Sequence, residues 1–131
     1  MVIDTSAVIA ILLGEPEAQV FAEAIRDSAV RLVSAVSALE ASIVIETRKG
    51  PAGGRDLDLF LHRANAEVVP FTAEQFEVAR NAYRKFGKGI HPAGLNFGDC
   101  CAYALARVSG EPLLAKGTDF PRTDITLAYP V

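Results

Sequence analysis

The sequence predicts an α/β fold: a parallel sheet of four to five short strands with helices on both faces. Short apolar runs suited to buried strands alternate with longer segments of helical periodicity along all 131 residues. Strands separated by helices usually become parallel neighbours in one sheet. Half of the residues are hydrophobic and 22% are charged, which is enough apolar material for a packed core. We therefore expect one domain over residues 1–131, built as an α/β/α sandwich.

The first third of the chain predicts two strands and two helices. The apolar run at residues 1–3 suits a buried strand, and the helix after it should end near Gly14. Pro16 suits the first turn of a second helix, because proline there loses no hydrogen bond. Residues 30–33 predict the second strand.

A long apolar helix should follow this second strand. Ser34 or Ser37 can cap it, and it should run to about Lys49, before a Gly-Pro pair. We expect residues 51–54 to form a loop, since they include a proline and two glycines. A further helix is marked by the apolar spacing of residues 57–64.

Residues 67–71 predict a third strand. Thr72 and Gln75 have the spacing of a capping box for the next helix, which should end near Phe86. Residues 87–98 should form the longest loop, because they are rich in glycine.

The last third predicts one helix and the closing strands. Asn96 can cap an apolar helix that ends at Ser109 and Gly110. Residues 113–115 predict a fourth strand, and residues 125–128 a short fifth one.

Charge and cysteine content exclude several classes of protein. The net charge is −3, so binding to nucleic acid would require local basic patches, a bound metal ion, or both. Cys100 and Cys101 are adjacent and have neither disulfide nor zinc-ligand spacing, so we expect buried packing thiols. The apolar runs are too short to cross a bilayer, and the start does not resemble a signal peptide. We therefore expect a cytoplasmic protein without a membrane partner.

Three carboxylates lie in apolar surroundings. Asp4 follows the first strand, while Glu40 and Asp99 lie in helices among apolar neighbours. None of them has a lysine or arginine within one helical turn. Buried carboxylates repel one another unless they share a cation, and Mg²⁺ is the hard cation that oxygen ligands and phosphate groups favour. Because Asp4 and Asp119 both follow sheet strands, they should lie at the same edge of the sheet.

Each acid also has an ordinary structural explanation. Asp4 and Asp99 could each cap a helix, and Glu40 could project into solvent. Asp119 could form a loop ion pair with Lys116 or Arg122. The ordered set of four is more informative than any single member, because all four can meet at one sheet edge.

The same residues carry a resemblance to a known family. MVIDTSA at residues 1–7, Glu40 in a long helix, NFGD at residues 96–99 and LLAKGTDF at residues 113–120 resemble a PIN domain. More narrowly, the chain resembles the VapC toxins of bacterial toxin–antitoxin pairs. The resemblance spans nearly the whole chain.

This resemblance implies a function and a site. It implies a magnesium-dependent endoribonuclease, with manganese as an alternative metal, that hydrolyses RNA with metal-activated water. Four acids would form the metal site, and polar side chains would lie beside them. The metal ligands would be Asp4, Glu40, Asp99 and Asp119, and the auxiliary polar residues Thr5, Ser6 and Thr118. The alternative is a catalytically inactive PIN-like module that only holds a protein partner.

The resemblance also implies partners: RNA, a cognate antitoxin, and a second copy in a homodimer or a toxin–antitoxin hetero-oligomer. Apolar side chains early in the chain could line a groove for an antitoxin helix, namely Ile11, Leu12, Leu13, Val20, Phe21 and Ile25 with Ile43 and Val44. Cations that could contact RNA at the rim are Arg48, Lys49, Arg55, Arg84, Lys85, Lys88, Lys116 and Arg122. His62 should face solvent, and His91 could contact RNA.

Overall fold

The protein is described here from a computed structural model, which covers residues 1–129. Four strands form one sheet with the order β3-β2-β1-β4, and all neighbours pair in parallel. The strands are β1 (Val2–Ile3), β2 (Leu32–Ser34), β3 (Glu67–Val69) and β4 (Leu113–Leu114). The six helices are α1 (Thr5–Leu12), α2 (Ala18–Asp27), α3 (Ala35–Lys49), α4 (Pro51–Arg63), α5 (Ala73–Phe86) and α6 (Phe97–Ser109).

The helices cover both faces of the sheet, as the α/β/α prediction requires. Successive strand side chains point to opposite faces, so Val2 packs in one core cluster and Ile3 in the other. The cluster that includes Val2 contains α5 and α6 side chains, and the one that includes Ile3 contains side chains from α1 to α4. Both cysteines are buried within α6, which confirms their prediction as packing thiols.

Several predicted helix boundaries are confirmed by the side chains that cap them. The Ser34 side chain accepts a hydrogen bond from the backbone N–H of Val36 at the start of α3. The Thr72 side chain accepts from the N–H of Gln75, although Gln75 donates to Pro70 instead of completing a capping box. At these positions the interactions are local, so the sequence alone was sufficient to locate them.

Three predictions about local structure were wrong. Residues 51–54 form the first turn of α4, with proline at its first position; a Cβ on Gly53 would lie only 2.6 Å from the carbonyl oxygen of Ile45. Pro16 lies in a turn just before α2, which begins at Ala18. Residues 125–128 make a single parallel bridge, between Leu127 and Leu113, and not a fifth strand.

No helix within residues 1–129 is long and apolar enough to cross a membrane.

Candidate active site

Four carboxylates come together where β1 and β4 end. Asp4 directly follows β1, and Asp119 follows its parallel neighbour β4. Asp99 lies in the first turn of α6, and Glu40 lies in the second turn of α3. The charges of Asp4, Glu40 and Asp119 all raise the pKa of Asp99, so Asp99 lies close enough to each of the other three to be repelled by it. The fold therefore brings together the four acids that the sequence singled out.

Asp4 is the most buried of these acids, with 4% of its surface exposed. It caps α1, because its Oδ2 accepts hydrogen bonds from the backbone N–H of Ser6 at 3.0 Å and from the Ser6 hydroxyl at 2.6 Å. Burial is the main cause of its raised pKa, and the nearby charge of Glu40 raises it further, while the Ser6 hydrogen bonds act in the opposite direction. Asp4 therefore does cap α1, as the ordinary structural explanation expected, but capping by itself does not explain why this carboxylate is buried.

Glu40 is held against the start of α6. The hydroxyl of Thr5 donates to Oε1 of Glu40 at 2.9 Å and lies 3.2 Å from the backbone carbonyl of Ser37. The Glu40 carboxylate lies directly over the Cα of Gly98: a Cβ there would be 2.5 Å from Glu40 Cδ and nearer still to both oxygens. The absence of a side chain at residue 98 therefore lets Glu40 approach the helix that carries Asp99.

Asp99 is fixed by a capping box. Its backbone N–H donates to the Asn96 side chain at 2.9 Å, and its own Oδ2 accepts from the Asn96 N–H at 3.1 Å. The pKa of Asp99 is raised to about 6, first by burial and then by the charges of Asp4, Asp119 and Glu40, although the hydrogen bond from Asn96 opposes this shift. The local cap explains the orientation of the side chain, and the three neighbouring acids explain much of its electrostatic environment.

Asp119 and Thr118 are exposed, just before a 3₁₀ turn at Phe120–Arg122. The ion pair suggested as an ordinary explanation for Asp119 does not form. The Lys116 ammonium pairs with Glu15 at 3.0 Å and Glu17 at 3.3 Å. Arg122 donates to a backbone carbonyl 3.2 Å away, that of Pro92. Within residues 1–129, Asp119 has no cationic partner.

Ser6 connects two of the strand ends. Its hydroxyl donates to Asp4 and accepts a hydrogen bond from the backbone N–H of Lys116 at 2.9 Å. The segment after β4, which carries Asp119, is thereby tied to the carboxylate that follows β1. Ser6 thus orients Asp4 and fixes the spacing of the two segments.

The acidic site suits a metal ion by the chemistry of its donors and not by a preformed geometry. Among the described residues, no three His, Cys, Asp or Glu side chains converge as a ready set of ligands. Each of three acids instead accepts a hydrogen bond from a neighbouring donor: Asp4 from Ser6, Glu40 from Thr5 and Asp99 from Asn96. Mutual repulsion favours such hydrogen bonds when no cation is shared. The donors are nonetheless hard carboxylate oxygens without a paired lysine or arginine in this part of the chain, so their chemistry fits Mg²⁺.

Comparison with known proteins identifies the family. The model of the PIN domain matches residues 1–125. The chain belongs to the PIN-domain family. It is 55% identical over 129 residues to a ribonuclease VapC of Mycolicibacterium smegmatis, and the matched residues cover 98% of this chain and 100% of that protein. It is also 55% identical over 131 residues to ribonuclease VapC30 of Mycobacterium tuberculosis, covering 99% of this chain and 100% of the relative.

A solved structure supports the same fold assignment. This PIN domain superposes on the crystal structure of VapC20 from Mycobacterium tuberculosis with a TM-score of 0.79, covering 98% of each chain at 17% identity. That protein is described as a toxin that cleaves the sarcin-ricin loop. At this identity the likeness establishes the fold, and the predicted PIN-like architecture is confirmed.

Sequence reasoning missed two features of the PIN-domain site. It assigned residue 98 to the end of a loop, although Gly98 lies in the first turn of α6 and lets Glu40 approach that helix. It also gave no role to Phe97, whose side chain is 73% exposed in the same helical turn as Asp99. The NFGD segment contained a signal for the role of Gly98, because a glycine at the start of a helix often marks a point where another group approaches the backbone closely. His62 is exposed as predicted, whereas the Nδ1 of His91 accepts a bond from the Ala93 N–H, which gives that ring a structural role.

Proposed function

We propose that this protein is a magnesium-dependent endoribonuclease that acts as the toxin of a toxin–antitoxin pair. One observation carries the proposal: Asp99 is surrounded by the charges of three other carboxylates, and none of the four pairs with a cation in the described chain. Such a cluster costs stability unless it serves a ligand that cancels the charge. The curated relatives, which are named as ribonucleases, support the same function.

Each residue has a defined part in this proposal. Asp4, Glu40, Asp99 and Asp119 would hold the metal ion, with Mn²⁺ as an alternative to Mg²⁺. When bound, the ion supplies an electrophilic centre that activates water and offsets charge on the scissile phosphate. Thr5 holds Glu40 and Ser6 holds Asp4, so both hydroxyls keep their acids oriented before substrate arrives. Thr118 lies beside Asp119 and is exposed, so its hydroxyl is available to water or to phosphate.

The decisive experiment is cleavage of a total-RNA preparation with magnesium and with EDTA, followed by mapping of the new ends. We expect cleavage only with magnesium, and loss of cleavage in Asp99→Asn. Asp58→Asn, which removes an exposed acid on α4, is the matched control and should cleave like the parent. Ends carrying a 2′,3′-cyclic phosphate would contradict the proposal, because they form when the ribose hydroxyl attacks instead of water.

The competing function is an inactive module that only holds a partner. Calorimetric titration with magnesium separates the two functions. Binding that Asp99→Asn weakens at least 10-fold supports a metal-dependent enzyme, since an amide is a poorer ligand for a hard cation. An absence of binding together with an absence of cleavage would favour the inactive module.

The antitoxin site belongs to the same proposal. A cavity of about 460 Å³ lies between α1, α2 and α4, where Ile11, Leu12 and Leu59 are among the apolar lining residues and Arg26 and Arg63 are among the polar ones. It suits an amphipathic helix with acidic residues at its edges. Leu59→Asp should abolish co-purification with the small protein encoded beside the toxin, while Val108→Asp, on exposed α6 surface, should not. Equal co-purification of both variants would contradict this placement.

The sequence-based version of that groove needs one correction. Of the eight predicted side chains, only three line the cavity, namely Ile11, Leu12 and Ile25; the other five, Leu13, Val20, Phe21, Ile43 and Val44, do not. Phe21 is buried in the core, and Ile43 is exposed on α3. Leu39 and Ile43 are one turn apart on α3, and they are 61% and 58% exposed. We place the contact with a second copy on this face. Leu39→Glu should then lower the molecular mass measured by light scattering, and an unchanged mass would contradict the contact.

A further inference from the structure

A second cavity, of about 700 Å³, lies between α5 and the first turns of α6. Four aromatic rings line it, and all four are exposed: Phe71, Phe76, Tyr83 and Phe97. Single exposed aromatic side chains need no explanation, but four around one groove indicate a binding surface. We call this surface the aromatic groove.

The charges that line the aromatic groove are positive. Arg80, Arg84 and Lys88 contribute to it, and no aspartate or glutamate does among the described lining residues. Arg80 is already engaged, because it pairs with Glu77 at 2.7 Å and its guanidinium lies 4.6 Å above the Phe76 ring. Arg84 and Lys88 form no ion pair within residues 1–129, so both can contact an anion.

The aromatic groove borders the acidic site at the start of α6. Asn96 and Phe97 line it, and Asn96 is the residue whose capping box holds Asp99. The backbone N–H of Lys88 donates to the carbonyl of Leu95 at 2.9 Å, which fixes this cation beside the start of α6. Because the first turn of α6 carries both Phe97 and Asp99, a polymer bound at the acids lies beside the aromatic groove.

We propose that the aromatic groove binds single-stranded RNA next to the scissile phosphate, with an unpaired base stacked on Phe97 and phosphates held by Arg84 and Lys88. This inference rests on the proposed ribonuclease function. Sites for single strands combine aromatic stacking platforms with a positively charged path for the backbone, and the aromatic groove has both. Duplex RNA keeps its bases stacked inside the helix, so it cannot use these rings.

The cations of the aromatic groove offset the repulsion between this acidic protein and the RNA backbone. The chain carries a net charge of −3, and the acids repel phosphate until a cation is bound. Lys116, the cation expected to help at Asp119, is bound to Glu15 and Glu17. Arg84 and Lys88 are therefore placed to attract the RNA backbone beside the acids.

The test measures fluorescence anisotropy of a short, unstructured, fluorescein-labelled oligoribonucleotide in EDTA, which prevents cleavage. Stacking on one residue is worth on the order of 5- to 100-fold in affinity. We expect Phe97→Leu to bind that much more weakly and Phe97→Tyr to bind like the parent, because leucine keeps apolar bulk and loses the ring face. Since Phe97 is 73% exposed, neither variant should unfold, and circular dichroism checks this.

The cations are tested through the salt dependence of the same binding. Removing one phosphate contact should reduce the slope of log affinity against log salt concentration by about 0.7. We expect this for Arg84→Ala and for Lys88→Ala. Lys85→Ala is the matched control, because Lys85 lies next to Arg84 on α5 and does not line the groove.

Several results would overturn the proposal. Equal affinity of Phe97→Leu and the parent would exclude stacking, as would a parent that does not bind the oligoribonucleotide. Unchanged RNA binding with a lower molecular mass for Phe97→Leu would assign the groove to a second copy of the chain. Ring-dependent binding without any magnesium-dependent cleavage would support the groove and contradict only the proposed nuclease activity.

Discussion

Replacing Gly98 with alanine should inactivate the enzyme without unfolding it. The new Cβ would lie 2.5 Å from Cδ of Glu40, whereas an ordinary contact is 3.4–4 Å. The carboxylate must therefore retreat by about 1 Å, and a misplacement of that size at a catalytic group costs roughly 100-fold in rate. The retreat also strains the 2.9 Å hydrogen bond from Thr5 to Glu40.

The stability change should be small because two effects oppose each other. Alanine is preferred over glycine within a helix by up to about 1 kcal/mol. Loss of the Thr5 hydrogen bond costs about the same amount. We therefore expect the free energy of unfolding to change by less than about 1 kcal/mol, which urea denaturation would measure.

The assay is magnesium-dependent cleavage of a fluorescent RNA under single-turnover conditions. Gly54→Ala is the matched control, because a Cβ there meets Cδ of Glu46 at 3.1 Å, and Glu46 is an exposed side chain that can move away. It should cleave like the parent. Gly98→Ala with parental activity would refute the reasoning.

A double-mutant cycle then asks whether the effect passes through Glu40. In a background of Glu40→Asp the carboxylate is shorter by one methylene and no longer lies over residue 98. Gly98→Ala should have little further effect in that background, so the two changes should be clearly non-additive. Full additivity would indicate that residue 98 acts by another route.

Three more predictions follow from the same geometry. Asp99→Asn should raise the melting temperature of the metal-free protein by a few degrees. It removes a charge that is unfavourable first because of burial and then because of repulsion, a cost of about 1 kcal/mol after discounting for solvent, and calorimetry showing a lower temperature would contradict this. The pKa of Asp99 is raised from 3.8 to about 6, so ionisation of this carboxyl destabilises the fold above that pH. Without metal, the free energy of unfolding should therefore increase as the pH falls from 7 towards 5. Urea midpoints that become lower as the pH falls from 7 to 5 would be inconsistent with the raised pKa. Ser6→Ala removes the 2.6 Å hydrogen bond to Asp4 and the acceptor for the backbone N–H of Lys116, so it should slow cleavage about 10-fold. Ser42→Ala on α3 loses only an exposed hydrogen bond to Glu46 and should not slow cleavage. Equal cleavage rates for the two variants would count against Ser6 as a positioning residue.

Much of the fold was predictable because its determinants are local. The helix caps at Ser34 and Asn96 depend on side chains that bond to backbone only a few residues away. The alternation of apolar runs with helical periodicity was sufficient to predict parallel strands covered on both faces. The same reasoning was wrong where a contact between two helices decided the structure. Residues 51–54 have a sequence typical of a loop, but they form the first turn of α4, in which Gly53 packs closely against Ile45.

The sequence by itself determined which acids to consider: Asp4, Glu40 and Asp99 lie among apolar neighbours without cations nearby, and Asp119 follows a predicted strand as Asp4 does. Only the tertiary structure decided how they are held. Thr5 reaches Glu40 across 35 positions, and Ser6 meets the backbone of Lys116 across 110. Tertiary structure also decided that Lys116 pairs with Glu15 and that Phe97 joins an aromatic groove. Contacts of this kind depend on how helices pack on the sheet, and that packing depends on the whole chain and not on any single segment.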